Sequence, residues 1–263
     1  KNPSRQEALV YYRRVAEHFH LNLRQYEMVE SISGAEGSFV LKTRKMYGRE
    51  KEYEATRVVV ATGGFHAPNM LEVPGEELPK VLHYYREAHP FFDQEVLVVG
   101  GSNSAVEASL ELFRGGARVT MVHFLDKLDK GVKPWVVPDI TNRLEQGDIR
   151  VYWEHRVVEI TPEAVTLRDE ETGNLTELKN DWVMALTGWQ PNPTLLRGMG
   201  VEIDQTTGIP SHDPDTMETN VPGVFIAGVL AAGNNANKIF IENGRAHGGQ
   251  IVQAIIGRAA GHP

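Results

Sequence analysis

Two periods of apolar residues run through this chain, and the change from one to the other marks its elements. Residues Glu95 to Arg114 read EVLVVGGSNSAVEASLELFR. Val96 to Val99 are four consecutive apolar, mostly β-branched residues, which suits a parallel strand covered on both faces. Gly100 and Gly101 break the run, and from Ser104 onward Ala105, Val106, Ala108, Leu110, Leu112 and Phe113 fall largely on one side at helical spacing. A strand, a glycine turn and a helix start therefore follow one another directly. Such a turn aims free backbone N–H groups and the positive end of the helix dipole at one point, where a pyrophosphate can bind.

The same periods predict the remaining elements. Ser4 to Phe19 reads as a helix capped by Ser4 with Glu7 as its capping-box partner, burying Ala8, Leu9, Tyr12, Val15, Ala16 and Phe19. Strands are expected at Asn22–Tyr26, Met28–Ile32, Ser38–Thr43 and Glu52–Ala55, with turns at Gly34, Gly37 and Tyr47-Gly48. Arg57 to Ala61 is a buried apolar strand that ends in Thr62-Gly63-Gly64, small residues that let a ligand approach the backbone or simply form a turn. Phe65 to Gly75, with Pro68 and Pro74, reads as a linker. Gly115-Gly116 stops the central helix, Ala117–His123 is the next strand, and Pro134–Leu144 is a helix with Pro138 in its first turn. Strands at Ile149–Trp153, Val157–Ile160, Val165–Arg168 and Thr176–Leu178 lead to a buried strand, Trp182–Leu186, closed by Thr187-Gly188. Thr219 to Gly228 gives a turn and a last short buried strand ending at Gly228, and a Gly/Asn-rich loop, Ala232 to Asn237, leads to a helix over Lys238–Ile256.

Asn22 to Gly63 and Ile149 to Gly188 are thus similar blocks: short strands, then an apolar strand, then a Thr-Gly turn. The repeat suggests duplicated dinucleotide-binding folds. The second block has its glycine loop at Gly100, whereas the first has none, so its opening βα unit is expected upstream of Ser4 in a longer polypeptide.

Composition narrows the class. With 35 acidic against 27 basic residues the formal charge is -8, which argues against a nucleic-acid partner. No apolar run approaches the roughly 18 to 20 residues of a membrane span. Val224–Ala232, the most apolar C-terminal stretch, is short and broken by glycine. No signal-peptide pattern is visible, and the cytoplasm is the expected compartment. The chain has no cysteine, so no thiolate can act within these residues, and its ten histidines lack paired metal-ligand spacing.

The dinucleotide fingerprint asks for glycine at three places, which here read Gly100, Ser102 and Ala105. Ala still allows close helix packing; Ser102 puts a hydroxyl where phosphate comes nearest and can donate to it. Asn103 and Ser104 can contact phosphate or cap the helix. About 20 residues beyond the glycines an NAD site wants an acid for the ribose 2′-OH. That place reads His123-Phe124, with no acid until Asp126 and with Lys127, Lys130 and Lys133 nearby, which favours NADPH. Trp135 and Trp189 can flank a cofactor ring or serve packing.

VVVATGG, VVGGSNSA, ALTGWQPN and TNVPGVFIAG, together and in order, resemble the flavin-dependent pyridine nucleotide oxidoreductases of thioredoxin-reductase-like architecture. The resemblance implies an α/β protein with two Rossmann-like three-layer dinucleotide-binding domains. The FAD domain, residues 1–70 and 215–263, would be split around an NADPH domain at 71–214. Thr62, Gly63, Gly64, Gly228 and Val229 would line FAD, Gly100, Gly101, Ser102, Asn103, Ser104 and Ala105 would bind NADPH pyrophosphate, and His123, Lys127 and Gly188 would border that nucleotide. Lys238 and the Ile239 N–H, at the expected helix start, would face the flavin or serve as a plain cap. Two departures stand out: no CxxC precedes the glycine loop, and Val229 occupies the place of the acid that normally holds the ribityl chain. With GGSNSAVEA, VKPWVVPDI, AGVLAAGNNAN and KIFIENGRAHGG they are similar to the bacillithiol-disulfide-reductase-like branch. In that branch the candidate redox cysteine lies in the amino-terminal FAD glycine loop, which this chain does not include. The implied activity is NADPH-dependent reduction of a low-molecular-weight disulfide such as bacillithiol disulfide by a homo-oligomer, dimer or tetramer. The alternatives are a ferredoxin or flavodoxin NADP reductase, whose partner is a small redox protein, and a non-enzymatic NADPH-binding redox module.

Overall fold

The computed structural model describes residues 4–235 and 238–260. Helix α1 (Arg5–His18) is followed by strands β1 (Glu27–Ser33), β2 (Phe39–Lys45), β3 (Glu50–Ala55) and β4 (Val58–Val60). After the two-residue strands β5 (Ala67–Pro68) and β6 (Val81–Leu82) come β7 (Glu95–Val99), α2 (Asn103–Arg114), β8 (Arg118–His123), α3 (Val137–Glu145) and β9 (Arg150–Trp153). The chain continues through β10 (His155–Ile160), β11 (Ala164–Asp169), β12 (Leu175–Lys179), β13 (Trp182–Ala185) and β14 (Trp189–Gln190). It ends with α4 (Thr194–Gly198), β15 (Val224–Ile226), α5 (Ile241–Gly244) and α6 (Ala246–Ala260).

A five-stranded parallel sheet in the order β6-β13-β7-β8-β9 organises the middle of the chain. Successive strand residues point to opposite faces. Val96 and Val98 therefore meet Ala105, Val106 and Leu112 of α2 and Ile140 of α3, while Leu97 and Val99 meet Val157, Ile160, Val165 and Leu167 of the antiparallel sheet β10-β11-β12. Three layers result, and both faces of β7 are dry. Each of these aliphatic side chains contributes roughly 1.5–3 kcal/mol on burial, which is why the VLVV run has no polar member.

A smaller assembly repeats the plan. Here β4 and β15 form a parallel pair, and the antiparallel sheet β1-β2-β3 supplies Ile32 and Phe39 to its core, with Leu230 and Ile251. The two antiparallel sheets even share a register shift in the first strand, at Val29/Ser31 and at Val157/Glu159. The duplication expected from the two Thr-Gly blocks is thus visible in the backbone. Leu195, Leu196, Met199, Val201 and Ile203 also pack in this second core. Packing therefore returns the chain to the smaller assembly upstream of position 215.

Several expected elements differ. The Ser4 capping box forms, with Glu7 N–H donating to Ser4 Oγ at 3.3 Å and Ser4 N–H donating to Glu7 Oε2 at 2.7 Å, but no residue of α1 is buried. Leu9, Tyr12 and Phe19 are exposed, because no described element covers that face. Asn22–Tyr26 is irregular chain that ends in a turn at Gln25-Tyr26 rather than a strand: Leu23 has no partner strand, and Tyr26 takes a left-handed φ of +56°. Around β4 the strand is shorter than Arg57–Ala61, and Val59 is 46% exposed while Val58 and Val60 are buried, since no described element covers the Val59 face. The last helix begins at Ile241, not Lys238, and is divided at Arg245 into α5 and α6. Within the expected linker, β5 pairs with β14. Of the Gly/Asn loop, Ala236 and Asn237 lie outside the described residues. Among the described residues no helix is long and apolar enough to cross a membrane, and no cluster of His, Asp and Glu is placed to hold a metal ion.

Candidate functional site

Between the last residue of β7 and the first of α2 there are only Gly100, Gly101 and Ser102. Gly100 takes φ +133°, and a Cβ there would lie 2.6 Å from the Leu186 carbonyl oxygen. A Cβ on Gly101 would lie 2.5 Å from the His123 ring. Both glycines are thus dictated by the neighbouring strand ends, one after β13 and one at β8. Ala105 is fully buried, so α2 sits close on the sheet. Ser102 is the N-cap in extended conformation, yet its side chain makes no cap hydrogen bond. Its hydroxyl and the first-turn N–H groups are left to a ligand, and an anion is the ligand they suit.

This loop forms one wall of a cavity of about 530 Å³, in the size range of small-molecule sites. Gly100 to Ser104, His123, Gly188 and Trp189 line it, together with Phe65, Asn69, Asp129, Arg156 and Asn234. Its opposite wall is tied down by Asn69. That amide nitrogen donates to Thr187 O at 3.0 Å, its backbone N–H donates to Gly188 O at 3.0 Å, and Gln190 Nε2 donates to its Oδ1 at 2.8 Å. Gly188 takes φ +96°, and a Cβ there would press on the same Asn69 amide at 3.0 Å. The fit to a dinucleotide is therefore good: a cradle that side chains would fill, an uncapped helix start and a walled cavity at the carboxyl ends of parallel strands.

The remaining residues expected at this nucleotide fall into three groups. Asn103 lines the cavity, but its side chain is committed elsewhere, donating to Gly131 O at 2.8 Å and accepting from Lys133 N–H at 2.9 Å. It holds the 129–133 loop against the cradle. His123 is buried, and neither ring nitrogen has a hydrogen-bond partner; Asp129 Oδ1 stands 3.5 Å from Nε2. Lys127 is exposed beside Asp126 and lies off the cavity wall. Lys133 is paired with Glu107 at 2.8 Å. Trp189 packs near Phe65 and Tyr84 at the cavity, whereas Trp135 is exposed away from it.

Burial pushes the His123 pKa below its usual 6.5, and the nearby Asp129 carboxylate offsets this only in part. The unfolded chain therefore binds a proton that the folded chain resists. Stability from neutral His123 is present in full above the unfolded value and is lost as pH falls toward the folded one. Thermal melts from about pH 8 to about pH 5 are expected to fall more steeply for the wild type than for His123→Asn. Parallel curves would contradict this.

At the carboxyl ends of β4 and β15 the structure brings together a second set of small residues. Gly63 and Gly228 take φ +77° and +70°, and an added Cβ at either would meet nothing within 4 Å. A Cβ on Gly64 would lie 3.5 Å from Val229, so the Thr62-Gly63-Gly64 turn and the Gly228-Val229 turn adjoin. Gly228 N–H donates to His247 Nδ1 at 3.1 Å. Open backbone at adjacent parallel strand ends fits a flat, extended cofactor. The start of the last helix is corrected here: Lys238 and Ile239 precede it, and the Lys238 N–H is spent on Asn235 O at 3.1 Å. Phe240 caps α5, its N–H donating to Asn243 Oδ1 at 2.7 Å. Ile239 still packs beside this turn, near Gly244 and so near Gly228.

Sequence reasoning missed Asn69, Arg156 and Asn234. Asn69 meets Thr187 across 118 residues, and no local pattern signals such a contact. Arg156 sits in a strand whose periodicity reports only burial.

The chain matches the family model of the pyridine nucleotide-disulphide oxidoreductases over residues 1–228. It is 45% identical over 259 residues to the bacilliredoxin reductase Bdr of Bacillus subtilis, covering 98% of this chain and 78% of that protein. The solved bacillithiol disulfide reductase Bdr of Bacillus cereus superposes with a TM-score of 0.94 at 44% identity, covering 97% of this chain and 78% of its own. That of Staphylococcus aureus superposes with a TM-score of 0.90 at 38% identity, over the same shares of the two chains. With the layered α/β architecture and the glycine cradle, these matches identify the chain as an oxidoreductase belonging to the pyridine nucleotide-disulphide oxidoreductase family.

Proposed function

We propose that this protein is an NADPH-dependent FAD flavoprotein that reduces a low-molecular-weight disulfide such as bacillithiol disulfide. The observation that carries the reading is the cradle of Gly100, Gly101 and Ser102 at the uncapped start of α2, opening into the walled cavity. The substrate class rests on relatives named bacilliredoxin reductase and bacillithiol disulfide reductase. In the net reaction NADPH gives a hydride, a proton is taken up, and one disulfide S–S bond is broken to yield two thiols and NADP+.

The N–H groups from Gly101 to Ala105 and the dipole of α2 bind the NADPH pyrophosphate, and Ser102 adds a hydroxyl donor. Gly188 and Asn69 hold the wall against which the rest of the nucleotide lies. Thr62, Gly63, Gly64, Gly228 and Val229, with Ile239 and Lys238 beside them, would hold FAD across the strand ends. FAD, when bound, supplies the hydride acceptor and the electrons for the disulfide. Val229 offers no carboxylate where an acid would bind a ribityl hydroxyl, and its methyl groups stand beside Gly64, 3.5 Å from where a Cβ there would lie. Residues 1–70 and the C-terminal part form the FAD unit, and the packing of Leu195–Ile203 supports drawing its boundary upstream of 215. A homo-oligomer acting in the cytoplasm completes the proposal, in keeping with the thioredoxin-reductase-like resemblance.

Anaerobic addition of NADPH to the flavin-loaded full-length protein is expected to bleach its flavin absorbance, and bacillithiol disulfide is expected to restore it. Restoration by a ferredoxin or flavodoxin but not by the disulfide would favour a carrier-protein reductase. A full-length preparation that carries no flavin would favour a nucleotide-binding module.

A further inference from the structure

The cavity wall carries one cation whose terminal nitrogens make no protein hydrogen bond among the described residues. Of the described residues lining it, Arg156 is the only lysine or arginine. Its guanidinium carbon stands 4.6 Å from the ring centroid of Phe124, the residue that directly follows β8. In dinucleotide folds the end of that strand faces the adenosine ribose, where an acid selects a 2′-hydroxyl and an arginine accommodates a 2′-phosphate. Nε of Arg156 donates to Glu170 Oε2 at 2.7 Å, which fixes the side chain's direction. The two terminal nitrogens have no protein partner among the described residues. They form a planar two-pronged donor of the kind that matches phosphate geometry.

Resting on the NADPH reading above, we infer that Arg156 is the residue that selects NADPH over NADH by receiving the 2′-phosphate. The lysines that follow β8 do not compete for the role, since Lys127, Lys130 and Lys133 all lie off the cavity wall and the Lys133 ammonium is spent on Glu107. Asp129 works in the other direction. Its carboxylate lines the cavity 3.5 Å from His123 Nε2, so it repels a phosphate and can accept from a free ribose hydroxyl. Selectivity is then a contest between the two, in which Arg156 prevails because its guanidinium, stacked on Phe124 and ion-paired with Glu170 through Nε alone, keeps both terminal nitrogens free to donate. Removing Arg156 leaves the acid in charge of the ribose.

Binding of NADP+ and of NAD+ to the oxidised full-length protein, measured by titration calorimetry, tests this without turnover. The wild type is expected to hold NADP+ at least tenfold more tightly than NAD+. Arg156→Gln is expected to weaken NADP+ by about tenfold or more, the scale of one charge-assisted phosphate contact, while NAD+ changes less than about twofold. Arg156→Lys recovers part of the loss, Asp129→Asn tightens NADP+, and Lys127→Ala leaves both unchanged. Equal weakening of both nucleotides by Arg156→Gln would make the residue a structural prop and overturn the inference, as would no change in either. A wild type that binds neither nucleotide would instead overturn the NADPH reading itself.

Discussion

Gly101→Ala is expected to weaken NADPH binding by about tenfold to a hundredfold, the consequence of a steric cost of roughly 1–3 kcal/mol in a packed site. The backbone of Gly101 is not left-handed, so an L-residue meets no conformational strain there. The whole cost is spatial. An added methyl would stand 2.5, 2.6 and 2.7 Å from three atoms of the His123 ring, and that ring is buried between the cradle, Phe124 and Trp153 with little room to withdraw. The loop must therefore move toward the cavity, into the space the pyrophosphate needs. The origin of the effect can be isolated by a double-mutant cycle. His123→Ala removes the obstructing ring, so Gly101→Ala in that background should weaken NADP+ binding far less than it does in the wild type. If the loss is the same with and without the ring, the methyl blocks phosphate directly and His123 is a bystander. Unchanged binding in the single variant would contradict the cradle as the nucleotide site.

The strand-turn-helix core was legible because its information is local. Four consecutive apolar residues, two glycines and a helical stripe occupy one short stretch, and the physics that positions them, burial on both faces of β7 and close approach at Gly100 and Gly101, needs no distant partner to be inferred. The two Thr-Gly blocks were legible for the same reason, each repeating a sequence of short and long apolar runs. Where periodicity misled, an element lacked the partner its pattern implied. The apolar stripe of α1 promised a buried face, and the alternation of Asn22–Tyr26 promised a strand, yet burial and pairing belong to two surfaces and the sequence displays one. The cations illustrate the limit most clearly. Lysines adjacent to His123 in sequence turned outward or found acids, while Arg156 reached the cavity from the neighbouring sheet by strand geometry and a contact with Phe124. Asn69 is similar: its partners Thr187, Gly188 and Gln190 are distant in the chain and adjacent only in the folded wall.

Gly75→Ala is expected to destabilise the protein by about 3 kcal/mol or more, through a left-handed backbone and a backbone collision together. Gly75 takes φ +84°, and its added Cβ would lie 1.8 Å from the Ile160 carbonyl oxygen. Neither side yields easily. Ile160 ends β10, and its N–H donates to Pro74 O at 2.9 Å. On the other side, buried Glu76 accepts the N–H groups of Leu71 and Glu72 at 2.7 and 2.8 Å, and Leu71, Val73 and Leu78 pack on the core that β10 shares with the parallel sheet. Gly37→Ala separates the two costs: Gly37 takes φ +90°, but a Cβ there meets nothing within 4 Å, so it should lose only about 1 kcal/mol. Denaturant unfolding of both variants measures the difference, which is the collision alone. The same connector carries Phe65, Asn69 and Met70 into the cavity wall, so Gly75→Ala should also weaken NADP+ while Gly37→Ala should not. Equal stability losses at the two glycines would mean that the Leu71–Leu78 segment slides on β10, and the wall of the nucleotide cavity would then be a movable part rather than a fixed one.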